Sequence, residues 1–355
     1  MFSRSGSPFR IDGVSHVFEA RSQTALVGAS GSGKTTLLDL IAGRHSPERG
    51  TIRLGNRRLN DVKPKRRPLL YVTSDNGPPL RWSVRHALVA ALRTGSLDRA
   101  DRLEEFESAL DYWALRDLVD RRLGSLSPGE RVRCRMAEIE LLRPAIFLAD
   151  RLCASLSPSE TQELLDRLSR VLRVIGTTSI VEVSRFEETR FSTSLVALHE
   201  GRLEQSGTPR SVVESPVSIA AALATGPTNL FPVDIHENEV HSVLGDWSLE
   251  SPPFQGNGTL LTRPWHFHPV LPGEESDLIF GVEEAAYANG SWWASGILTG
   301  NMMLEVHLPS ETEVHKGRLM GLRYDPSHFT LVPEVVRERG QRVPIDALPT
   351  VPESR

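Results

Sequence analysis

The sequence predicts an α/β fold, a P-loop domain with a helical subdomain, followed by a small all-β, OB-like barrel domain. Three observations predict it. A glycine-rich phosphate loop lies between a short apolar strand and a helix, residues 84–123 repeat apolar positions at helical spacing, and short alternating runs separated by turn residues follow Gly226. We expect the P-loop domain at residues 1–225 with a helical insert at about 76–135, the barrel at 226–334, and a tail at 335–355.

The phosphate loop runs from Gly28 to Thr36 and fits the pattern G-x-x-x-x-G-K-[ST]. Residues 24–27 before it predict a buried strand, and residues 35–43 after it predict a helix with a glycine stop. Such a turn directs backbone N–H groups to one point, at the positive end of the helix dipole. We therefore predict a phosphate-binding site, in which Lys34 reaches the β- and γ-phosphates of a ligand. Its predicted binding residues are Gly28, Ser30, Gly31, Gly33, Lys34, Thr35 and Thr36.

A magnesium site is predicted beside this loop. Residues 145–150 form an apolar run that ends in Asp150, and a phosphate-loop enzyme holds its metal with the loop hydroxyl and such an acid. We expect Thr35 and Asp150 to bind Mg²⁺.

Composition limits the possible partners and compartments. The chain has 355 residues and a net charge of −4, which favours two domains and gives no indication of a nucleic-acid partner. The chain has two cysteines, and their spacing is not that of a metal site. We expect both to be free thiols in a reducing compartment. Because no apolar run approaches the ~18 residues of a membrane span, we expect a cytoplasmic protein that reaches a membrane only through partners.

From about Val84 to Leu123 the pattern predicts helices. The run from Arg102 to Leu118 predicts one helix with a single apolar stripe. A later helix is predicted to begin at Pro128, with Ser127 as its N-cap. The stripe residues are Leu103, Phe106, Leu110, Trp113 and Leu115.

In this order, the phosphate loop, the helical insert, the turn at residues 126–130 and the strand ending in Asp150 resemble an ABC-transporter ATP-binding subunit of the importer type with a C-terminal TOBE domain. The likeness covers roughly residues 9–333, including a closing hairpin at 201–209. It implies ATP and Mg²⁺ as cofactors and a position on the inner face of the cell membrane. It also implies integral membrane permease subunits, docked through the insert near residues 74–85.

The resemblance divides the site into an intact half and an altered half. Walker A falls on the phosphate loop, and the Walker B aspartate falls on Asp150. The three hydrolytic positions hold other residues: the water-activating glutamate falls on Arg151, the Q-loop glutamine on Ser74 and the switch histidine on Ser184. No intact catalytic residue is therefore expected in this site.

Three further motifs are altered. The signature motif, which acts on a partner's ATP, keeps Ser127 and Gly129 and ends in Glu130. The D-loop aspartate falls on Ser157. The adenine-stacking aromatic falls near Ser5 or Gly6, where Phe2 or Phe9 could substitute.

These positions predict a chain that binds ATP and hydrolyses it weakly or not at all in its own site, with hydrolysis mainly in a partner's site. A heterodimer with a second ATP-binding subunit is favoured over a homodimer. A substitute base from Glu182, Glu187 or Glu188 is less favoured, since none is expected at the right strand end. The alternative function is a non-transport regulatory ATP sensor that uses the barrel as a binding module.

Overall fold

The computed structural model describes residues 2–3, 10–73, 76–271, 273–288, 290–298 and 302–334. The chain divides into two units, Met1–Gly226 and Pro227–Arg355. The Q-loop position Ser74, the adenine-stacking candidates Ser5, Gly6 and Phe9, and the tail lie outside the described residues, as does the side chain of Phe2.

The first unit contains both strands and helices. Its strands are β1 (Phe2–Ser3), β2 (Arg10–Ile11), β3 (Gln23–Val27), β4 (Arg53–Leu54), β5 (Arg57–Arg58), β6 (Leu70–Thr73), β7 (Ile146–Asp150), β8 (Thr178–Glu182), β9 (Ser194–His199) and β10 (Arg202–Gly207). Its helices are α1 (Lys34–Ala42), α2 (Val84–Thr94), α3 (Arg102–Tyr112), α4 (Pro128–Leu142), α5 (Pro158–Ile175), α6 (Pro209–Glu214) and α7 (Ile219–Ala224).

A six-stranded sheet organises this unit, in the order β10-β9-β3-β8-β7-β6. The pairs β6–β7, β7–β8, β8–β3 and β3–β9 are parallel, and only β10 runs antiparallel to its neighbour. The central strands are continuous apolar runs because parallel strands are buried on both faces. Their carboxyl ends meet at one edge of the sheet, which places the ends of β7 and β8 beside the loop that follows β3.

Helix α1 starts and stops at glycines, as the sequence predicts. Gly33 precedes it with φ 107°, and Gly43 follows it with φ 82°, both in the left-handed region that favours glycine. Leu38 on the helix is fully buried against Leu148 of β7 and Ile180 of β8. This packing fixes the phosphate loop against the sheet edge.

The helical subdomain differs from the sequence prediction in one helix. Helix α3 ends at Tyr112 instead of Leu118, because Ala114 adopts a left-handed conformation with φ 51° and turns the chain. Leu103 was predicted on the buried stripe but is 74% exposed, so the stripe becomes buried only from Phe106 onwards. None of the helices in the described ranges is long and apolar enough to cross a membrane.

The second unit is all-β, as predicted, and its two antiparallel sheets share one core in an OB-like arrangement. The five-stranded sheets have the orders β13-β12-β11-β14-β20 and β15-β19-β16-β17-β18. The core is centred on Phe231, Phe267 and Phe280, each at most 1% exposed. The strands are β11 (Asn229–His236), β12 (Glu239–Ser242), β13 (Gly245–Ser248), β14 (Gly256–Thr262), β15 (His268–Pro269), β16 (Leu278–Ala288), β17 (Ser291–Leu298), β18 (Met302–Pro309), β19 (Leu319–Arg323) and β20 (Thr330–Pro333).

Candidate nucleotide-binding site

The phosphate loop lines a cavity of about 560 Å³ at the carboxyl edge of the parallel sheet. All the predicted binding residues lie in its wall, together with Arg151 and Ser184 from two hydrolytic positions and with Glu182. The loop binding residues are Gly28, Ser30, Gly31, Gly33, Lys34, Thr35 and Thr36. The structure therefore brings together the intact half and the altered half of the predicted site.

At Gly28 the backbone of the phosphate loop passes close to neighbouring atoms. This glycine has φ 146°, and a Cβ added there would lie 2.3 Å from the backbone oxygen of Leu198 and 2.6 Å from Ser32 Oγ. A side chain cannot fit at that distance, so the loop requires glycine at this position. Ser32 itself is buried, and its hydroxyl has no hydrogen-bond partner among the residues that the structure describes.

The ammonium group of Lys34 lies back against its own loop. Its Nζ donates to the carbonyl oxygen of Gly28 at 2.6 Å and to that of Ala29 at 3.2 Å. It also lies 3.8 Å from Glu182 Oε1, and both side chains are at least nine-tenths buried. Burial lowers the pKa of Lys34, and the neighbouring Glu182 opposes that shift.

Thr35 and Asp150 meet beside the loop. Thr35 Oγ1 donates to Asp150 Oδ1 at 3.0 Å, across the gap between the start of α1 and the end of β7. Burial raises the pKa of Asp150, and the hydrogen bond from Thr35 opposes the shift. Both predicted metal ligands are hard oxygen donors, which are the ligands that Mg²⁺ prefers.

The two altered hydrolytic positions in the described residues lie in the cavity wall. Arg151 follows β7 with φ 54°, a left-handed conformation that is uncommon outside glycine and concentrates at functional sites. Ser184 follows β8, and its backbone N–H donates to Glu188 Oε2 at 2.9 Å. A guanidinium cannot accept a proton from water near neutral pH, and a serine hydroxyl is a far weaker base than an imidazole.

Glu182 is the residue whose place the sequence analysis missed. It is the last residue of β8 and lines the cavity, whereas the glutamate of the family resemblance falls directly after β7, on Arg151. Its Oε2 accepts the backbone N–H of Arg151 at 3.2 Å, and burial raises its pKa. Strand alternation was the available signal, since Glu182 shares the parity of Ile180 in an otherwise apolar run.

A second cavity of about 330 Å³ adjoins the metal-ligand pair. Thr35, Asp150 and Arg151 line it together with residues that sequence reasoning did not single out. Asn76 holds the end of β6 there, because it accepts the Thr73 N–H at 2.9 Å and donates to the Tyr71 carbonyl at 2.8 Å. The additional lining residues are Arg44, Tyr71, Thr73 and Asn76.

The predicted signature residues lie at the start of α4, outside both cavities. Ser127 Oγ accepts the Glu130 N–H at 3.2 Å, and Glu130 Oε2 accepts the Ser127 N–H at 2.7 Å, which makes a capping box. Ser157 and Glu160 repeat the same box at the start of α5. A Cβ added at Gly129 would lie 3.8 Å from Glu160 Oε1, so the two helix starts are neighbours.

Comparison with known proteins agrees with the geometry. A family model described as ABC transporter matches residues 11–154. The spermidine/putrescine import ATP-binding protein PotA of Marinobacter nauticus is 33% identical over 273 residues, which are 74% of this chain and 73% of that protein. The sn-glycerol-3-phosphate import ATP-binding protein UgpC of Paracoccus denitrificans is 26% identical over 86% of this chain and 87% of its own length.

A solved structure supports the fold. The cbiO1 protein from Clostridium perfringens, part of an ABC transporter complex, covers 59% of this chain and 86% of its own, with a TM-score of 0.53 and 22% identity. The resemblance seen in the sequence is thereby confirmed. With a third of the aligned positions shared across nearly three quarters of both proteins, the chain belongs to the ABC-transporter family and carries that family's ATP-binding domain.

Proposed function

We propose that this chain is the ATP-binding subunit of an ABC import system and that it binds MgATP in its own site with little or no hydrolysis there. One observation carries the proposal. A single cavity is lined by an intact phosphate loop and by Arg151 and Ser184, where the family resemblance implies a glutamate and a histidine. The loop residues that would bind phosphate are present, and other residues stand where the family resemblance implies the groups that activate water.

The residues present fit MgATP. Gly28 leaves no space for a Cβ, and the unpaired hydroxyl of Ser32 is buried in the same loop. Thr35 and Asp150 offer two oxygen ligands already 3.0 Å apart. Thr35 and Asp150 would hold a magnesium ion, which would supply positive charge next to the phosphates. The chain's own part is to hold the phosphates through the loop amides and Lys34, with Thr35 and Asp150 on the metal.

The altered positions explain the weak hydrolysis that we propose. Phosphoryl transfer depends on positioned charge, and a missing general base typically costs ~10²–10⁴ in rate. Arg151 supplies a positive charge in place of an acceptor, and Ser184 lacks an imidazole. Glu182 is the carboxylate among the described residues that line this cavity, but its two oxygens already face Lys34 and the Arg151 N–H.

The proposed protein partners follow from a site that binds ATP without hydrolysing it. A site that does not turn over needs a second site that does, so we propose a heterodimer with a competent ATP-binding subunit. In it Ser127, Gly129 and Glu130 would face the partner's nucleotide. The related import proteins favour integral permease subunits and a peripheral position at the membrane.

The test is to measure MgATP binding by calorimetry and phosphate release on the purified chain, alone and with its co-encoded proteins. We expect binding that Lys34→Ala abolishes, phosphate release near background, and normal turnover only when the second ATP-binding subunit is added. Turnover at ordinary ABC rates by this chain alone, lost in Lys34→Ala, would overturn the proposal. Failure to recover any membrane subunit would favour the regulatory sensor instead.

A further inference from the structure

The pairing of strands β7 and β8 places Glu182 beside Lys34 of the phosphate loop. Strands β7 and β8 pair with Ala149 opposite Val181, so the next residues, Asp150 and Glu182, end neighbouring strands. Leu148 and Ile180, two residues earlier on each strand, pack in the core beneath α1. Because side chains alternate along a strand, Asp150 and Glu182 face the same helix and its loop.

The contacts of Glu182 tie it to Lys34. Its side chain is 8% exposed, with Oε1 at 3.8 Å from Lys34 Nζ. The other oxygen accepts the Arg151 backbone N–H, which orients the carboxylate. Lys34 completes its contacts with the carbonyl oxygens of Gly28 and Ala29. Two carbonyl oxygens therefore hold the ammonium group on the loop, and the carboxylate of Glu182 lies at ion-pair distance from it.

From this geometry we propose that Glu182 is a positioning residue that acts through Lys34, as an internal counter-ion that competes with the terminal phosphates of ATP. The inference rests on the proposed ATP site. The same ammonium that should reach the β- and γ-phosphates is paired with a buried carboxylate before nucleotide arrives. Binding must then break or share that pair, which lowers the affinity for ATP.

The charges around the carboxylate support competition at Lys34. The charged groups that face Glu182 are Lys34 from α1, Asp150 from β7 and Glu188 from the turn after β8. Among these three groups only Lys34 is a cation, so the carboxylate and the terminal phosphates would share its ammonium group, although Arg151 also lines the cavity. Burial in a low-dielectric wall strengthens the pairing of Glu182 with Lys34 because water screens the pair less.

The first experiment compares MgATP dissociation constants, measured by calorimetry, of the parent chain, Glu182→Gln and Glu188→Gln. The glutamine at 182 keeps an oxygen for the Arg151 N–H and removes the charge. We expect it to bind ATP on the order of tenfold more tightly, the middle of the range for contacting charged residues. Glu188 is the matched control, since it also accepts one backbone N–H, from Ser184, and is not ion-paired with Lys34 in the described structure. Its variant should change affinity by less than about threefold.

The second experiment tests the pair without nucleotide. A double-mutant cycle of Glu182→Gln and Lys34→Met on urea unfolding should give a favourable coupling between the two residues. Zero coupling, or an unchanged ATP affinity in Glu182→Gln, would overturn the inference. So would weaker binding in that variant, because the carboxylate would then contribute to holding MgATP. The two proposals can fail separately. If Glu182→Gln binds ATP at millimolar concentration and the parent chain does not, the proposed function fails and the counter-ion role is supported. If neither protein binds, both fail.

Discussion

Thr35 Oγ1 lies 3.0 Å from Asp150 Oδ1, so the residue after the loop lysine and the last residue of β7 share one hydrogen bond. This pair defines the proposed magnesium position. We expect Asp150→Asn to weaken the Mg²⁺-dependent part of ATP affinity by at least about tenfold, since the metal loses an anionic ligand. Affinities with magnesium and with a chelator measure the effect.

Asp61→Asn is the matched control for that variant. Its carboxylate is 91% exposed and lies 3.9 Å from Arg58 Nε. Equal magnesium dependence in Asp150→Asn and in Asp61→Asn would contradict the assignment of Asp150 as a metal ligand.

Arg151 and Ser184 can be converted to the residues that the family resemblance implies. We expect Arg151→Glu with Ser184→His to raise phosphate release by about 10², because a base and an imidazole then face the phosphate end of the cavity. Each single variant should give less, since residues that act as a unit do not contribute additively. Adding Lys34→Ala must remove the gain. An unchanged rate in the double variant would mean that hydrolysis is limited elsewhere.

Gly28 tests the loop geometry. We expect Gly28→Ala to abolish ATP binding and to destabilise the first unit, since its Cβ would lie 2.3 Å from the Leu198 oxygen. Gly50→Ala is the control, because Gly50 also has a positive φ but has no atom within 4 Å of an added Cβ among the described residues. The control should keep its ATP affinity and lose about 1–2 kcal/mol of stability from strain alone. Calorimetry and urea unfolding separate the two effects, and equal losses of ATP binding would contradict the account.

Much of the site could be predicted because its information is local. The loop, the Gly43 stop of α1 and the Ser127 cap each depend on a few adjacent residues, and the structure shows all three. The end of α3 could not be predicted in this way. Alanine favours helix, and nothing in the local pattern marks Ala114 as the residue that takes φ 51°.

The role of Glu182 could not be predicted because its information is not local. Lys34 and Glu182 are far apart in the chain, and only the pairing of β8 with β3 and β7 brings them to one edge. A sequence pattern identifies the strand but not which strand lies beside it. The position of Glu182 beside Lys34 therefore depends on the parallel pairing of these strands, which a motif search does not give.

Ser127 and Ser157 are natural controls for one another. Each caps a helix that begins with proline, and each forms a capping box with the glutamate three residues later. We expect Ser127→Ala and Ser157→Ala each to cost about 1 kcal/mol of unfolding free energy, the usual value of such a cap. In the reconstituted heterodimer, only Ser127→Ala should also lower ATP turnover in the partner's site. A turnover loss of equal size in both variants would indicate a purely structural role for the signature serine.

Trp113 and Glu140 predict how the stability of the helical subdomain depends on pH. Trp113 is fully buried, and its Nε1–H donates to Glu140 Oε2 at 2.6 Å. Burial raises the pKa of Glu140 above its ordinary value of 4.5. The folded protein therefore holds this proton more tightly than the unfolded chain, and its contribution is full below pH 4.5 and is lost as pH rises through the folded pKa.

Glu140→Gln should remove this dependence, because glutamine offers the same acceptor to Trp113 without a charge to desolvate. We expect the variant to gain stability relative to the parent chain as pH rises from about 5 to about 8, measured by urea unfolding. Glu163→Gln is the control, since that glutamate is 69% exposed on α5. Parallel curves for the parent and Glu140→Gln would show that the carboxyl is no harder to ionise in the fold than in the open chain, and that its hydrogen bond to Trp113 already offsets the burial.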